Sequence, residues 1–179
     1  MLKVAKRNFR TNTLLMTYCA LLISISYIGS LIKIQGTSIA LDSMPAYFAA
    51  LFLTPAAGAL VGFLAHLITA ATSGFYLTLP MHIIISIQMA AFVYVFGWTY
   101  KKSNYLISAI TATFLNGPVA ALIVVPFSVL FQLPLRGWEL FYFMLIPLTL
   151  ASLVNIIMAV TIHKLLPNRV RNGYKFDEV

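Results

Sequence analysis

Residues 138–166 read WELFYFMLIPLTLASLVNIIMAVTIHKLL, and no Asp, Glu, Lys or Arg stands between Glu139 and Lys164. A bilayer crossing takes ~20 predominantly apolar residues, so this stretch predicts a transmembrane helix. Further apolar runs cover 13–32, 44–53, 56–72, 80–100 and 105–125. Of 179 residues, 61% are hydrophobic and 9% charged. Soluble domains carry roughly a quarter charged residues, and disorder requires low hydrophobicity with high charge. The expected fold is an all-α membrane protein of six transmembrane helices. It forms one domain over 1–179, with basic cytoplasmic tails at about 1–12 and 167–179. No stretch is left for a soluble ATPase or nucleic-acid-binding domain.

Prolines mark the breaks. Thr54-Pro55 separates the second helix, only about ten residues long, from the third, because a residue before proline is disfavoured in helical geometry. Pro80 suits the first turn of the fourth helix, where its missing N–H is not needed. Gly117-Pro118 interrupts the fifth, and Pro147 lies within the sixth. Residues 126–137 are expected to be a connection.

The charges set the orientation. Lys3, Lys6, Arg7 and Arg10 precede the first run, Lys101 and Lys102 stand mid-chain, and Lys164, Arg169, Arg171 and Lys175 close the last. Basic groups favour the cytoplasmic side. Both termini and Lys101-Lys102 are then inside, and connections 33–43, 73–79 and 126–137 outside. The basic groups read as topology signal and anionic-lipid contact rather than nucleic-acid binding. The single cysteine, Cys19, excludes an intrachain disulfide and a cysteine-based metal cluster.

Long connections on one side place a candidate site in the outer halves of the helices. The polar residues that stand out within the runs include His66, His82, Gln88, Asn116 and Asn155. No charged residue lies deep in a run, which argues against a proton pump or ion-coupled carrier and against a strongly cationic ligand. The first four suit one cavity open to the outside, with Asn155 below it; interhelical hydrogen bonding is the alternative for each. His82 and Gln88 are about 120° apart on their helix. The break at Asn116-Gly117-Pro118 suits a cavity wall. Outer aromatics, Trp138 and Tyr142 among them, read as an interfacial belt or as stacking partners for a flat heterocycle. Asp42 reads as an N-cap or a partner of Lys33. Gly58-x-x-x-Gly62 and Ala20-x-x-x-Ser24 permit close helix contact. No catalytic motif is present, and no catalytic or metal-ligating residue is expected.

Ala40-Leu41-Asp42-Ser43-Met44-Pro45-Ala46 and Leu53-Thr54-Pro55-Ala56-Ala57-Gly58-Ala59-Leu60-Val61-Gly62 resemble the substrate-binding S component of energy-coupling factor (ECF) vitamin transporters. Thr54 stands where that family usually has Gly. The resemblance implies a multi-pass protein of the bacterial plasma membrane that captures a vitamin or precursor outside the cell. It implies as partners a transmembrane T protein and two cytoplasmic ATPases, which bind the ATP; no cofactor is implied for this chain. Ala20 and Ser24 match positions that face the T protein in the family, and Gly58 and Gly62 are further candidates for a partner helix.

Residues 40–50, with Gly62-Phe63-Leu64-Ala65-His66-Leu67 and Pro80-Met81-His82, are most similar to the branch associated with α-ribazole, a nucleoside precursor of cobalamin. The expected substrate-binding residues are Asp42, Tyr47, His66, His82, Gln88, Asn116, Trp138 and Tyr142. Riboflavin or another flat neutral vitamin is the alternative substrate. A six-span scaffold of cell-wall assembly, without a ligand, is the alternative class.

Overall fold

A computed structural model describes residues 2–33 and 40–171, with side chains from residue 12 onward. Residues 34–39 of the first connection and 172–179, with Lys175, lie outside the described residues, as do the side chains of Lys3, Lys6, Arg7 and Arg10. The helices are α1 (Leu2–Ser30), α2 (Met44–Phe52), α3 (Pro55–Thr72), α4 (Leu79–Lys102), α5 (Tyr105–Phe114), α6 (Ala120–Leu130), α7 (Trp138–Leu165) and the short α8 (Asn168–Arg171). A π-helical turn, Leu115–Val119, joins α5 to α6. Among the described residues there is no strand, only an isolated bridge between Lys33 and Ala40.

Five segments are long and apolar enough to cross a membrane: Asn12–Ser30, Pro55–Thr72, Leu79–Lys102, Tyr105–Leu130 and Trp138–Leu165. The expected second crossing, 44–53, is the nine-residue α2. It rises only about 14 Å, too little to span a bilayer by itself.

The packing shows how this short element is accommodated. α1 and α3 finish at the same level: Ser30 Oγ and Thr72 Oγ1 are 3.4 Å apart. Lys33 Nζ donates to Thr72 O and Ser73 Oγ, each at 3.0 Å. A cation at a helix C-terminus satisfies open carbonyls and complements the helix dipole. Lys33 is thereby engaged away from Asp42. The α2 start lies deeper, because Ala46 packs against Gly62, ten residues or roughly 15 Å before Thr72. The non-helical stretch 40–43 covers the remaining depth. Irregular backbone is tolerated at such depth only where protein encloses it, and Ala40 and Asp42 are both buried.

The caps follow local chemistry. Thr54 Oγ1 accepts the Ala57 N–H at 3.0 Å, and Pro55 sits in the first turn of α3. Asn104 Oδ1 accepts the Ile107 N–H at 3.0 Å. Ser43, not Asp42, is the N-cap residue of α2. One expected break, at Pro126, does not occur. α6 runs through Pro126 to Leu130, so the connection before α7 is 131–137, and α7 is continuous through Pro147. Prolines persist in membrane helices because neighbouring helices and side chains re-satisfy the freed backbone groups. At the other end of the chain, the basic segment expected as a tail already belongs to α1.

Two apolar clusters form the core. The first centres on Tyr47, edge-on to Phe96 at 5.1 Å, with Ala50, Val61, Val93 and Ile156. Gly58 is buried here: a Cβ on it would lie 2.6 Å from the Ala50 Cβ. Gly62 meets Val93 and Ala46. Both glycines therefore serve contacts within the chain instead of presenting a surface to a partner helix. The second cluster gathers Leu77, Met81, Val124, Leu140 and Met144.

Candidate functional site

A cavity opens where the two clusters meet, between the 40–43 stretch, α3, α4, the π-helical turn, α6 and α7. It holds about 570 Å³ of space free of atoms, including that continuous with solvent. Its apolar wall comprises Ile85, Met89, Val124, Met144 and Leu148, with Ala40, Ala120 and Ala151. The polar groups on it are Asp42, Ser43, His66, Gln88, Asn116, Ser152 and Asn155.

Four of the eight predicted binding residues thus share one cavity: Asp42, His66, Gln88 and Asn116. Asp42 is held by two hydroxyls. Ser43 Oγ donates to Oδ1 at 3.1 Å, and Thr69 Oγ1 donates to Oδ2. Among the described residues no Lys or Arg pairs with this buried carboxylate. The π-helical turn carries Asn116, whose Nδ2 donates to Ser152 Oγ at 2.8 Å. Ser152 Oγ in turn donates to the Asn116 carbonyl at 3.1 Å. This reciprocal pair satisfies backbone that the turn leaves outside the α-helical ladder. Gln88 differs from all of these. It is 7% exposed, and neither Nε2 nor Oε1 has a hydrogen-bond partner. An unsatisfied buried polar group costs about 1–3 kcal/mol, so this amide has unmet hydrogen-bonding capacity beside the cavity.

Asn155 was expected below the cavity and forms part of its wall. Its side chain is fully engaged: Oδ1 accepts the Met44 N–H at 2.9 Å, and Nδ2 donates to Ala40 O at 3.1 Å and Ala151 O at 2.9 Å. It fastens the 40–44 segment to α7.

The other four predicted residues lie elsewhere. Tyr47 is fully buried in the first core cluster against Phe96. Trp138 and Tyr142 are 59% and 68% exposed and pack with Phe141 at the start of α7. His82 is completely buried behind His66, with His66 Nε2 and His82 Nδ1 3.2 Å apart. Among the described residues the only ring on the cavity wall is therefore the His66 imidazole; the remaining broad surfaces are thioether and aliphatic side chains. Met89 and Met144, on α4 and α7, can make favourable sulfur–aromatic contacts. Ser43, Ser152 and both methionines were not anticipated as lining residues. Nothing local distinguishes them, since their position depends on partners far along the chain.

This arrangement suits reversible binding. Among the described residues, no group of three or more His, Cys, Asp or Glu could hold a metal ion.

A family model described as "ECF transporter, substrate-specific component" matches residues 14–167, well over half of the chain. No curated protein and no solved structure gives a significant match.

Proposed function

The chain belongs to the ECF transporter substrate-specific component family, and from that premise we propose that the cavity captures a vitamin precursor, α-ribazole, outside a bacterial cell. Members of this family are substrate-binding subunits of importers, not enzymes, and they associate with T and ATPase modules. A ligand-free cell-wall scaffold is not what this family does. Ala20 and Ser24 are both exposed on α1, with Ser24 Oγ turned back onto Ala20 O at 3.0 Å. We assign them to the T-protein contact.

The observation that carries the substrate reading is the Gln88 amide, whose nitrogen and oxygen both lack a hydrogen-bond partner beside the cavity. A flat, neutral base would have the thioethers of Met89 and Met144 to contact, and the Gln88 amide offers one donor and one acceptor to the base and its ribose. The Asp42 carboxylate has lone pairs to accept from sugar hydroxyls, and its uncompensated charge opposes anions. The nucleoside should therefore bind and its 5′-phosphate should not. Asp42 also favours a second reading, a cationic vitamin such as thiamin. The linear sequence argued against that reading because the carboxylate stands outside every apolar run, yet the fold brings it to the cavity wall.

The test is a thermal-unfolding panel on the detergent-purified chain with α-ribazole, α-ribazole 5′-phosphate, riboflavin, thiamin and pantothenate. A ligand at 100 times its Kd stabilises the folded state by about 2.7 kcal/mol. A large shift with α-ribazole and none with its phosphate is expected. A shift with thiamin or riboflavin alone would replace the substrate assignment.

A further inference from the structure

We propose that His82 is a positioning residue that fixes the tautomer of His66, so that His66 offers Nδ1–H to the cavity and selects ligands with a hydrogen-bond acceptor at that point. The inference deepens the substrate-binding reading and rests on it only for its ligand arm.

The chain of reasoning starts from a backbone amide. The Leu77 N–H donates to His82 Nε2 at 3.3 Å. A backbone N–H can only donate, so His82 Nε2 carries no proton, and a neutral imidazole then carries it on Nδ1. That Nδ1 lies 3.2 Å from His66 Nε2 and donates to it. His66 Nε2 is thus an acceptor, and its own proton sits on Nδ1. Of the two rings only His66 lines the cavity, and Nδ1 is the ring atom it has left to offer. One amide in an outer connection therefore determines which kind of group the binding site displays.

The connection is built to hold that amide in place. Gly74, Phe75 and Thr78 all have positive φ, at 70°, 50° and 76°, in a short segment. The turn is pinned by Phe75 N to Ala70 O at 2.8 Å and Thr78 N to Phe75 O at 2.7 Å. Phe75 packs edge-on to His82 at 6.0 Å, and Leu77 is buried in the second core cluster. Non-glycine residues at positive φ persist only where their surroundings over-determine them. The two imidazoles are tilted by 35° with centroids 5.4 Å apart, which keeps the relay bond in reach while His82 stays out of the cavity. The role is therefore different from a direct ligand contact by His82.

The experiment uses the full chain in detergent with ¹⁵N-labelled histidine. Long-range ¹H–¹⁵N spectra report the tautomer of each ring, assigned with His66→Gln and His163→Gln variants. The expected result in the ligand-free protein is Nδ1–H on both His66 and His82; Nε2–H on His66 overturns the proposal. His82→Phe removes the donor and should move His66 toward Nε2–H. His82→Gln, whose carbonyl can accept from Leu77 and whose amide can donate to His66, should restore Nδ1–H. Affinity is then measured for α-ribazole and for an analogue with C–H in place of the unsubstituted ring nitrogen of its base. Wild type and His82→Gln should prefer α-ribazole by about tenfold or more, and His82→Phe should lose that preference. Weaker binding in His82→Phe with the His66 tautomer unchanged would mean a merely structural role and would overturn the proposal. If neither probe binds wild type, the substrate assignment falls, while the ligand-free spectra still decide the relay. If His82→Phe does not fold, wild type and His82→Gln decide it.

Discussion

Gln88 and Asn155 are both side-chain amides on the cavity wall, yet their energetics are opposite. Asn155 satisfies three backbone groups and is 1% exposed. Gln88 satisfies none and is nearly as buried. Removing a partner strands a buried group, whereas replacing an unsatisfied polar group with an apolar one of similar shape relieves a desolvation penalty. Gln88→Leu should therefore raise the stability of the ligand-free protein, by about 1–2 kcal/mol, and weaken ligand binding about tenfold or more. Asn155→Ala should lower ligand-free stability by about 2 kcal/mol or more, because the Met44 N–H and the Ala40 carbonyl lose their partner together. Thermal midpoints without ligand, paired with Kd values, check both. A loss of stability in Gln88→Leu would show that the amide is engaged in the resting protein. The sequence separated the two only by depth, with Gln88 expected in the cavity and Asn155 below it; which amide is partnered depends on residues far along the chain. The partners of Asn155 lie up to 115 positions away.

At the scale of elements, the π-helical turn is where a sequence signal and a structural feature coincide. Pro118 lacks a backbone N–H and clashes with the preceding turn. Gly117 lets α7 come close: a Cβ there would lie 2.5 Å from Thr149 Oγ1 and 3.0 Å from its Cα. Gly117→Val should accordingly cost about 1–3 kcal/mol through overpacking. It should also weaken ligand binding, because the turn that would be pushed away carries Asn116. A stability loss at unchanged Kd would separate this turn from the site. The helix breaks at Thr54-Pro55 and at Asn116-Gly117-Pro118 were legible because each disturbs its own local backbone. Pro126 was misleading for the same reason: local geometry counsels a stop, while surrounding helices let α6 continue to Leu130. Periodicity placed His82 and Gln88 on different faces, and only Gln88 reaches the cavity. Periodicity could not tell which face that would be, nor that Tyr47 would close a core contact instead.

Over the whole molecule, the charge pattern and the packing imply one path, and it can be tested. The end of the bundle where α4 meets α5 carries Lys101 and Lys102 in the last turn of α4. α7 finishes at the same end, since Tyr105 OH lies 2.9 Å from His163 Nδ1 and Lys164 Nζ sits 4.7 Å from the Tyr105 ring centre. Connections 73–78 and 131–137 lie at the other end. Because α1 and α3 finish side by side at Ser30 and Thr72, the chain has to come back through the bundle between them. α2 and the enclosed 40–43 stretch provide that return. We therefore expect six traversals of the membrane from five long helices and one short one, with Asn12 and Ser103 on the cytoplasmic side. In a Cys19→Ala background, single cysteines at the exposed positions Tyr76 and Arg136 should react with a membrane-impermeant maleimide in intact cells. Cysteines at Asn12 and Ser103 should react only after permeabilisation. Reaction of Asn12 alone from outside would mean that the chain does not return between α1 and α3. Reaction of Asn12 and Ser103 together, with Tyr76 and Arg136 protected, would invert the orientation and put the cavity mouth on the cytoplasmic side. The positive-inside rule weighs against that inversion, because Lys101, Lys102, Lys164, Arg169 and Arg171 would all have to cross the membrane.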